Sequence, residues 1–307
     1  MTRFVAILGP TASGKSAMAL ELASRVHGEI VTCDSQQIYI GMDIGTGKPT
    51  REERRQSPHH LLDLVHPDER FHAARWVALA RVAIDRIASR GRLPIVVGGT
   101  GLYYRALTSG LFAAPAPDPF IRARHRDEAE RMGVEALHER LVAIDPVAAV
   151  KISRRDLVRI SRALEVFEQT GVPISELRRD AEPPPSTLAA YTVVLDPPVA
   201  VLRQRIEHRL GQMLKAGFVD EVRALRAAGY GPALRPLQAL GYKQLGAFVD
   251  GVCKLEQAVS DTLAATVAYA RRQRTWFRKE VSVARLAAPQ EEHIDHLVNA
   301  IEEIRAS

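Results

Sequence analysis

The 307-residue sequence predicts an α/β fold built on a parallel sheet, and three observations carry that prediction. Phe4-Val5-Ala6-Ile7-Leu8 is an unbroken apolar run, as a strand buried on both faces of a parallel sheet must be. It leads directly into Gly9-Pro10-Thr11-Ala12-Ser13-Gly14-Lys15-Ser16, a complete GxxxxGK[ST] phosphate loop. Beyond the loop, Met18, Leu22 and Val26 recur every four residues, the spacing of one helix face. Strand, glycine loop and helix in that order are the setting this loop needs. Its glycines let backbone N–H groups close around phosphate oxygens, and the helix N-terminus adds partial positive charge. In that arrangement Lys15 reaches a terminal phosphate and the Ser16 hydroxyl ligates Mg²⁺. The predicted core is therefore P-loop NTPase-like, with Mg²⁺ arriving alongside a phosphate-bearing substrate.

The alternation continues along the chain. Residues 29–32 form a short second strand ending at Cys33-Asp34. Gly45-Thr46-Gly47-Lys48-Pro49 is a second glycine loop, and Thr50 with Glu53 makes a capping-box pattern that opens a short helix. Leu61-Leu62-Asp63-Leu64-Val65 reads as a third strand, with His59-His60 capping its start. A helix over 73–88 carries Val77, Ala80, Ile84 and Ile87 on one face, and residues 94–97 form a buried strand running into Gly98-Gly99-Thr100-Gly101. In open α/β sheets ligands bind outside the carboxyl ends of the strands. The loops that begin at Gly9, Asp34 and Gly98 are therefore expected to face one crevice.

Between Pro115 and Pro185 strand patterns vanish and helices at about 118–131, 133–143 and 154–170 take over. Asp118-Pro119 and Asp145-Pro146 each set a cap residue before a proline suited to the first helical position, and Gly171 with Pro173 stops the last helix. Pro183-Pro184-Pro185 reads as a stiff linker, after which residues 191–195 resume the sheet. Helices follow near 198–214, 218–228 and 255–279, with a last strand at 281–286. The expected division is a core of 1–117 with 186–307 and a helical insertion of 118–185.

Composition bounds the function. With 46% apolar and 25% charged residues the chain matches ordinary soluble proteins, and no apolar run reaches membrane-spanning length. The first core strand begins almost at once, leaving no room for a signal peptide. Two cysteines, Cys33 and Cys253, build neither a disulfide framework nor a four-cysteine zinc site. A cytoplasmic protein with no membrane partner is expected. The net charge of +6 is compatible with a nucleic-acid partner, more so because arginines crowd into 122–131, 154–162, 203–209 and 271–278.

Asp34, at a strand's carboxyl end beside the phosphate loop, is the leading catalytic candidate: a carboxylate there can take a proton from an attacking group or help hold Mg²⁺. No apolar run ends in the aspartate that motor ATPases use for Mg²⁺, which favours one group transfer over repeated ATP hydrolysis. Thr11 and Thr100 lie on crevice loops and are either phosphate contacts or turn residues. Arg155, Arg159 and Arg162 form a basic stripe on a helix whose apolar face is Leu157, Ile160, Leu164 and Phe167. Arg271, Arg272, Arg274, Arg278 and Lys279, with Trp276 and Phe277 among them, combine cations for phosphates with rings for splayed bases. Both clusters also have a plain reading, as a solvated face and as a complement to a helix dipole. The ten histidines show no metal-binding spacing, and Cys33 reads as a small buried residue. On the residues alone, a group transferase, a small-molecule kinase with Asp34 activating a hydroxyl, and a non-catalytic RNA binder all stay open.

Taken together, the motifs resemble one family, the tRNA dimethylallyltransferases. The resemblance rests on Gly9 to Ser16, Asp34-Ser35-Gln36-Gln37, Gly45-Thr46-Gly47-Lys48-Pro49 and Gly98-Gly99-Thr100-Gly101-Leu102-Tyr103. Arg159-Ile160-Ser161-Arg162-Ala163-Leu164-Glu165, Gln238-Ala239-Leu240-Gly241-Tyr242-Lys243 and the Arg271–Arg278 segment with Gln273 and Trp276 continue it in the family's order. It implies transfer of a dimethylallyl group from its diphosphate to N6 of the adenosine immediately 3′ of the anticodon, in tRNAs reading codons that begin with U. It further implies Asp34 as base, Thr11 near the reacting oxygen and Arg209 on the diphosphate. Thr100, Arg122, Val158, Arg159, Ile160, Ser161, Arg162, Gln238, Gly241, Tyr242 and Lys243 match positions that touch tRNA, and Asp34 to Gln37, Arg271 and Arg274 are assigned to the same surface. The target base would flip into a channel between core and insertion. A monomer is expected, and transfer to free adenine nucleotides is the alternative within the same chemistry. The chain departs from the family pattern at Ser153-Arg154-Arg155-Asp156, where His-Pro-Asn-Asp is common, and at Val158, where a polar residue is frequent. It lacks a tryptophan over 281–286, and a carboxyl-terminal zinc finger is absent, which points to the bacterial form.

Overall fold

Alternation along the first strand decides how its side chains are used. In β1 (Thr2–Leu8), Phe4, Ala6 and Leu8 enter one core and Val5 and Ile7 the other, and all five are buried. That is the period-2 geometry of a strand covered on both faces. The computed structural model describes residues 2–110, 115–180, 188–280 and 284–306. After β1 come α1 (Lys15–Val26), β2 (Gly28–Cys33), α2 (Arg51–Gln56), β3 (His59–His60), α3 (Ala73–Ser89), β4 (Leu93–Gly98) and α4 (Gly101–Ser109). Five helices follow, α5 (Pro119–Met132), α6 (Val134–Ile144), α7 (Pro146–Lys151), α8 (Leu157–Thr170) and α9 (Ile174–Asp180). The sheet then resumes with β5 (Leu188–Leu195), α10 (Val199–Lys215), α11 (Phe218–Ala227), a 3₁₀ turn at Arg235–Gln238, α12 (Tyr242–Val249), α13 (Leu255–Phe277), β6 (Ala284–Leu286) and α14 (Glu291–Ala306).

The strands lie in the order β3-β2-β4-β1-β5-β6, every pair parallel. Register matters more than order for the site. Leu8 and Cys33 both stand opposite Gly98, and Leu8 also stands opposite Val194. The carboxyl ends of β1, β2 and β4 are therefore level, so Gly9, Asp34 and Gly99 leave the sheet side by side. One face is covered by Trp76, Ile84 and Ile87 of α3 together with Phe218, Leu245 and Phe277 from the later helices. The other is covered by Met18, Leu22 and Val26 of α1 and by Ile294, Leu297 and Ile301 of α14. Each such side chain contributes about 1.5–3 kcal/mol by leaving water.

Contacts divide the chain into two units, Met1–Thr108 with Ser186–Ser307, and Ser109–Pro185. The second has its own core of Leu137 and Leu141 from α6, Ala148 and Ala149 from α7, and Ile160 and Leu164 from α8. Its helix starts follow the local sequence. Asp118 Oδ1 accepts from Phe120 N at 2.7 Å, Asp145 Oδ1 accepts from Ala148 N at 2.9 Å, and Gly171 closes α8 at φ 71°.

Several sequence expectations are corrected. The third strand is His59–His60 and not 61–65, because Leu61 and Asp63 take positive φ (66° and 53°). Asp63 is drawn out of the ladder to meet Lys48 and Arg54, while Val65 bridges Tyr39 alone. The histidines form the strand instead of capping it. Helices α4, α9, α12 and α14 are additional to those expected, while α7 starts at the Asp145-Pro146 signal, to which no helix range was attached. The Pro183-Pro184-Pro185 linker and residues 281–283 of the last strand lie outside the described residues. Among the described residues no helix is long and apolar enough to cross a membrane.

Candidate active site

Anion chemistry is written into the start of α1. Gly14 sits at the N-cap with φ 96°, a conformation that L side chains rarely adopt, and no side chain among the described residues caps the helix. The helix end is thus left to an outside acceptor. Lys15 is half-buried and donates from Nζ to the Pro10 carbonyl at 3.0 Å. Burial pushes its ammonium down to about 8, Arg209 pushes the same way, and Asp34 opposes both. Burial likewise lowers the Arg209 guanidinium, against the pull of Asp34 and Glu53. Two desolvated cations facing one carboxylate hold an electrostatic deficit that an arriving polyanion removes.

These groups line one cavity of about 460 Å³. Its walls are Thr11, Lys15 and Ser16 of the phosphate loop; Asp34, Ser35, Gln36 and Gln37 after β2; Gly45, Thr46 and Gly47; and Gly98 with Gly99 after β4. Helix α10 adds Ile206, Arg209, Leu210 and Met213, and α13 adds Thr262, Thr266, Tyr269, Arg272 and Gln273. The single crevice expected from the strand ends is present. Asp34 Oδ1 accepts from Gln36 N at 2.8 Å and Gln37 N at 3.4 Å, which fixes the carboxylate's direction. Thr100 braces this loop from behind: its Oγ1 accepts from Ser35 N at 3.1 Å, and it does not line the cavity. Cys33 is fully buried, its thiol pushed up by burial, and it donates to the Thr100 carbonyl.

Three clamps hold this site, and although Gln273 and Lys48 stand in sequence motifs, their partners were not readable from the sequence. Gln273 joins α13 to the sheet ends: Oε1 accepts from Thr11 N and Nε2 donates to the Gly99 carbonyl, both at 2.9 Å. Glu221 of α11 accepts from Asp43 N, Ile44 N and Gly45 N at 2.7–3.1 Å and from the Tyr242 hydroxyl at 2.6 Å. Lys48 is buried against the Tyr39 carbonyl, Asp43 and Asp63, so the lysine of the second glycine loop is a brace and not a phosphate ligand. Their partners lie 5 to 262 residues away, on loops and helices whose meeting spacing along the chain cannot show.

The candidate RNA residues separate into three kinds. In the core unit Ser35, Gln36, Gln37, Gln238, Gly241 and Tyr242 line the cavity, and Lys243 and Arg271 are exposed nearby in sequence. Arg274 is turned to Asp196 in a part-buried pair. In the helical unit Val158 is 77% exposed and Arg159 is exposed, whereas Ile160 and Ser161 are buried and Ser161 Oγ meets His125 Nδ1 at 2.9 Å. Arg122 grips Glu165 with two bonds of 2.9 Å and Arg162 reaches the same carboxylate at 2.6 Å. The side chains of Ile160 and Ser161 thus serve the unit's interior, and Arg122 and Arg162 anchor a buried glutamate.

The residues present fit Mg²⁺ carried on a phosphate. Among the described residues no cluster of three His, Cys, Asp or Glu side chains could hold a metal alone. The Ser16 hydroxyl and the Asp34 carboxylate are hard oxygen donors in the same cavity, matching an ion that uses few protein ligands together with substrate phosphates and waters.

Comparison with known proteins places this geometry. The family model described as IPP transferase matches residues 37–280, and one described as isopentenyl transferase matches 2–63. A tRNA dimethylallyltransferase of Anaeromyxobacter sp. (strain K) is 50% identical over 94% of this chain and 94% of its own. That of Geobacter metallireducens is 48% identical over 92% and 91%. The solved tRNA isopentenylpyrophosphate transferase of Bacillus halodurans superposes with TM-score 0.70 at 36% identity, covering 99% and 96%. A eukaryotic dimethylallyltransferase, solved acting on tRNA, superposes with TM-score 0.76 at 27% identity, covering 94% of this chain and 74% of its own. The chain belongs to the IPP transferase family, that of the tRNA dimethylallyltransferases.

Proposed function

We propose that this protein transfers the dimethylallyl group of dimethylallyl diphosphate to N6 of the adenosine 3′ of the anticodon in tRNAs reading codons that begin with U. The observation that carries this reading is one cavity holding Asp34 beside the desolvated cations Lys15 and Arg209. An exocyclic adenine amine is a weak nucleophile because its lone pair is delocalised into the ring. Its attack on C1 of the allyl group needs a base for the departing proton, a role we assign to Asp34 Oδ2. The new N6–C1 bond forms as the C1–O bond breaks, and the electron pair leaves on the diphosphate. Lys15, Arg209 and the open start of α1 receive that charge. Mg²⁺ held by Ser16 would neutralise part of the same charge. Thr11, fixed through its backbone by Gln273, is assigned to the bridging oxygen. The base would have to leave its stack to reach Asp34.

Incubation of a monomeric preparation with Mg²⁺, dimethylallyl diphosphate and an unmodified anticodon stem-loop, followed by nucleoside mass analysis, tests the proposal. The expected product is N6-isopentenyladenosine at that one position, with AMP a poor acceptor. Equal or better transfer to AMP would instead assign the free-nucleotide activity. Metabolite-dependent consumption of ATP without prenyl transfer would assign a kinase.

A further inference from the structure

The cavity has one wall whose chemistry changes within a single helical turn, and that wall bears on which diphosphates fit. Arg209 and Met213 of α10 are four residues apart and share a face, about 6 Å along the axis. Both meet the same backbone: a Cβ built at Gly47 would collide with the Arg209 guanidinium and lie 3.3 Å from the Met213 methyl. An anion-binding head and an apolar group thus stand side by side over Gly47, with Leu210 beside them in the cavity wall. An allyl tail four carbons long spans about 4 Å at ordinary bond lengths. With its diphosphate on Arg209 and Lys15, a tail that runs along α10 would end at Met213.

Two residues back on the same glycine loop, at Gly45, the wall next to Met213's cluster is aromatic and fixed. Phe218 is 1% exposed and lies edge-on to Tyr242, ring centroids 5.0 Å apart. Its ring fills the space in front of Gly241, where a Cβ would lie 2.6 Å from it, and also crowds Gly45. Tyr242 is held through its hydroxyl by Glu221, which at the same time clamps the second glycine loop. These aromatics cannot move aside without loosening that loop. Met213 is half-buried, unbranched and outside the clamp, so it is the adjustable member.

Resting on the prenyl-transfer reading above, we propose that Met213, backed by the fixed Phe218–Tyr242 pair, is the length stop that limits the donor to a five-carbon allylic diphosphate. A ten-carbon tail meets the methionine and then the aromatic edge. Truncation at position 213 opens room for the second isoprene unit.

The test compares dimethylallyl and geranyl diphosphate as donors to the anticodon stem-loop, reading the ratio of their kcat/KM values. Met213→Ala is expected to shift that ratio toward geranyl by about tenfold or more, the scale on which apolar pockets discriminate chain carbons. Met213→Phe is expected to lower kcat/KM for dimethylallyl diphosphate, and the near-isosteric Met213→Leu to keep the wild-type ratio. An unchanged ratio in Met213→Ala overturns the proposal, as does Met213→Phe using the five-carbon donor as well as wild type. Thermal melts establish that each variant is folded, and because Phe and Ala act in opposite directions, loss of one variant leaves the other decisive. Wild-type protein that transfers no five-carbon group overturns the prenyl-transfer reading itself, an outcome distinct from an unchanged ratio.

Discussion

In the proposed mechanism Asp34 combines two tasks in one carboxylate, and a conservative change separates them. Oδ1 holds the turn through Gln36 N and Gln37 N, while Oδ2 is assigned the proton from N6. Asparagine retains the acceptor oxygen for the turn but cannot serve as base. Asp34→Asn should therefore lower single-turnover prenyl transfer by about 10²–10⁴-fold with tRNA affinity held within about threefold. Activity near wild type would remove Asp34 from the role. Lys15 gives a second residue-level prediction, through pH. Its folded value of about 8 lies below the ordinary 10.5, so the cost of burying the ammonium is fully present below pH 8. Between pH 8 and 10.5 the folded protein sheds a proton that the unfolded chain retains, and the stability of the ligand-free protein rises across that window. Bound diphosphate favours the charged form. Calorimetry in buffers of different ionisation enthalpy should show diphosphate binding weaken above pH 8 with net proton uptake, an uptake absent from Lys15→Arg. Asp34 and Lys15 were legible in the sequence because a strand end and a phosphate loop are local patterns. Gln273 and Glu221 were not, because their partners come from other elements.

At the scale of elements, two carboxylates do the joining, each with a measurable consequence. Glu221 ties α11 to the second glycine loop and to Tyr242 of α12 through four accepted bonds. Glu221→Ala leaves three backbone donors and a buried hydroxyl without that acceptor, at a cost of about 2–4 kcal/mol of stability. Chemical denaturation should show that loss, and an unchanged midpoint would contradict the clamp. In the helical unit, burial raises the Glu165 carboxyl, but hydrogen bonds from Arg122 and Arg162 outweigh it and hold the group below its ordinary range. Its contribution is present above the unfolded carboxylate value, near pH 4.5, and is lost as pH falls through the lower folded value. Acid should loosen α5 from α8 over that range, and in Glu165→Gln the acid dependence should disappear together with about 3 kcal/mol of stability. Helix faces and caps in this unit were readable in advance from Asp118, Asp145 and Gly171. The destination of its arginine stripe was not, since spacing alone does not separate a cation aimed at solvent from one aimed at a buried glutamate.

Over the whole molecule, the surplus of +6 overstates nothing in total but misleads in detail, because arginines of one motif have different fates. On α13, Arg271 is exposed, while Arg274 three residues later faces Asp196 in a part-buried pair. Only a cation open to solvent releases counterions when a phosphate replaces them. The logarithm of RNA affinity should fall linearly with the logarithm of salt, and each cation removed from the contact should reduce the slope by about 0.7–0.9. Arg271→Ala is expected to flatten the slope by about that amount and to leave the melting temperature alone. Arg274→Ala is expected to do the reverse, lowering stability by about 1–2 kcal/mol because Asp196 keeps only its longer contact to Arg278, while changing the slope little. Fluorescence titrations of a stem-loop across a salt series, paired with thermal melts of the same two variants, distinguish the cases. Equal slopes and equal melts would mean that exposure on α13 does not decide which arginines meet RNA. A change in kcat at saturating RNA for Arg271→Ala would move that residue from binding into the chemical step, where the geometry around Asp34 and Lys15 assigns it no place.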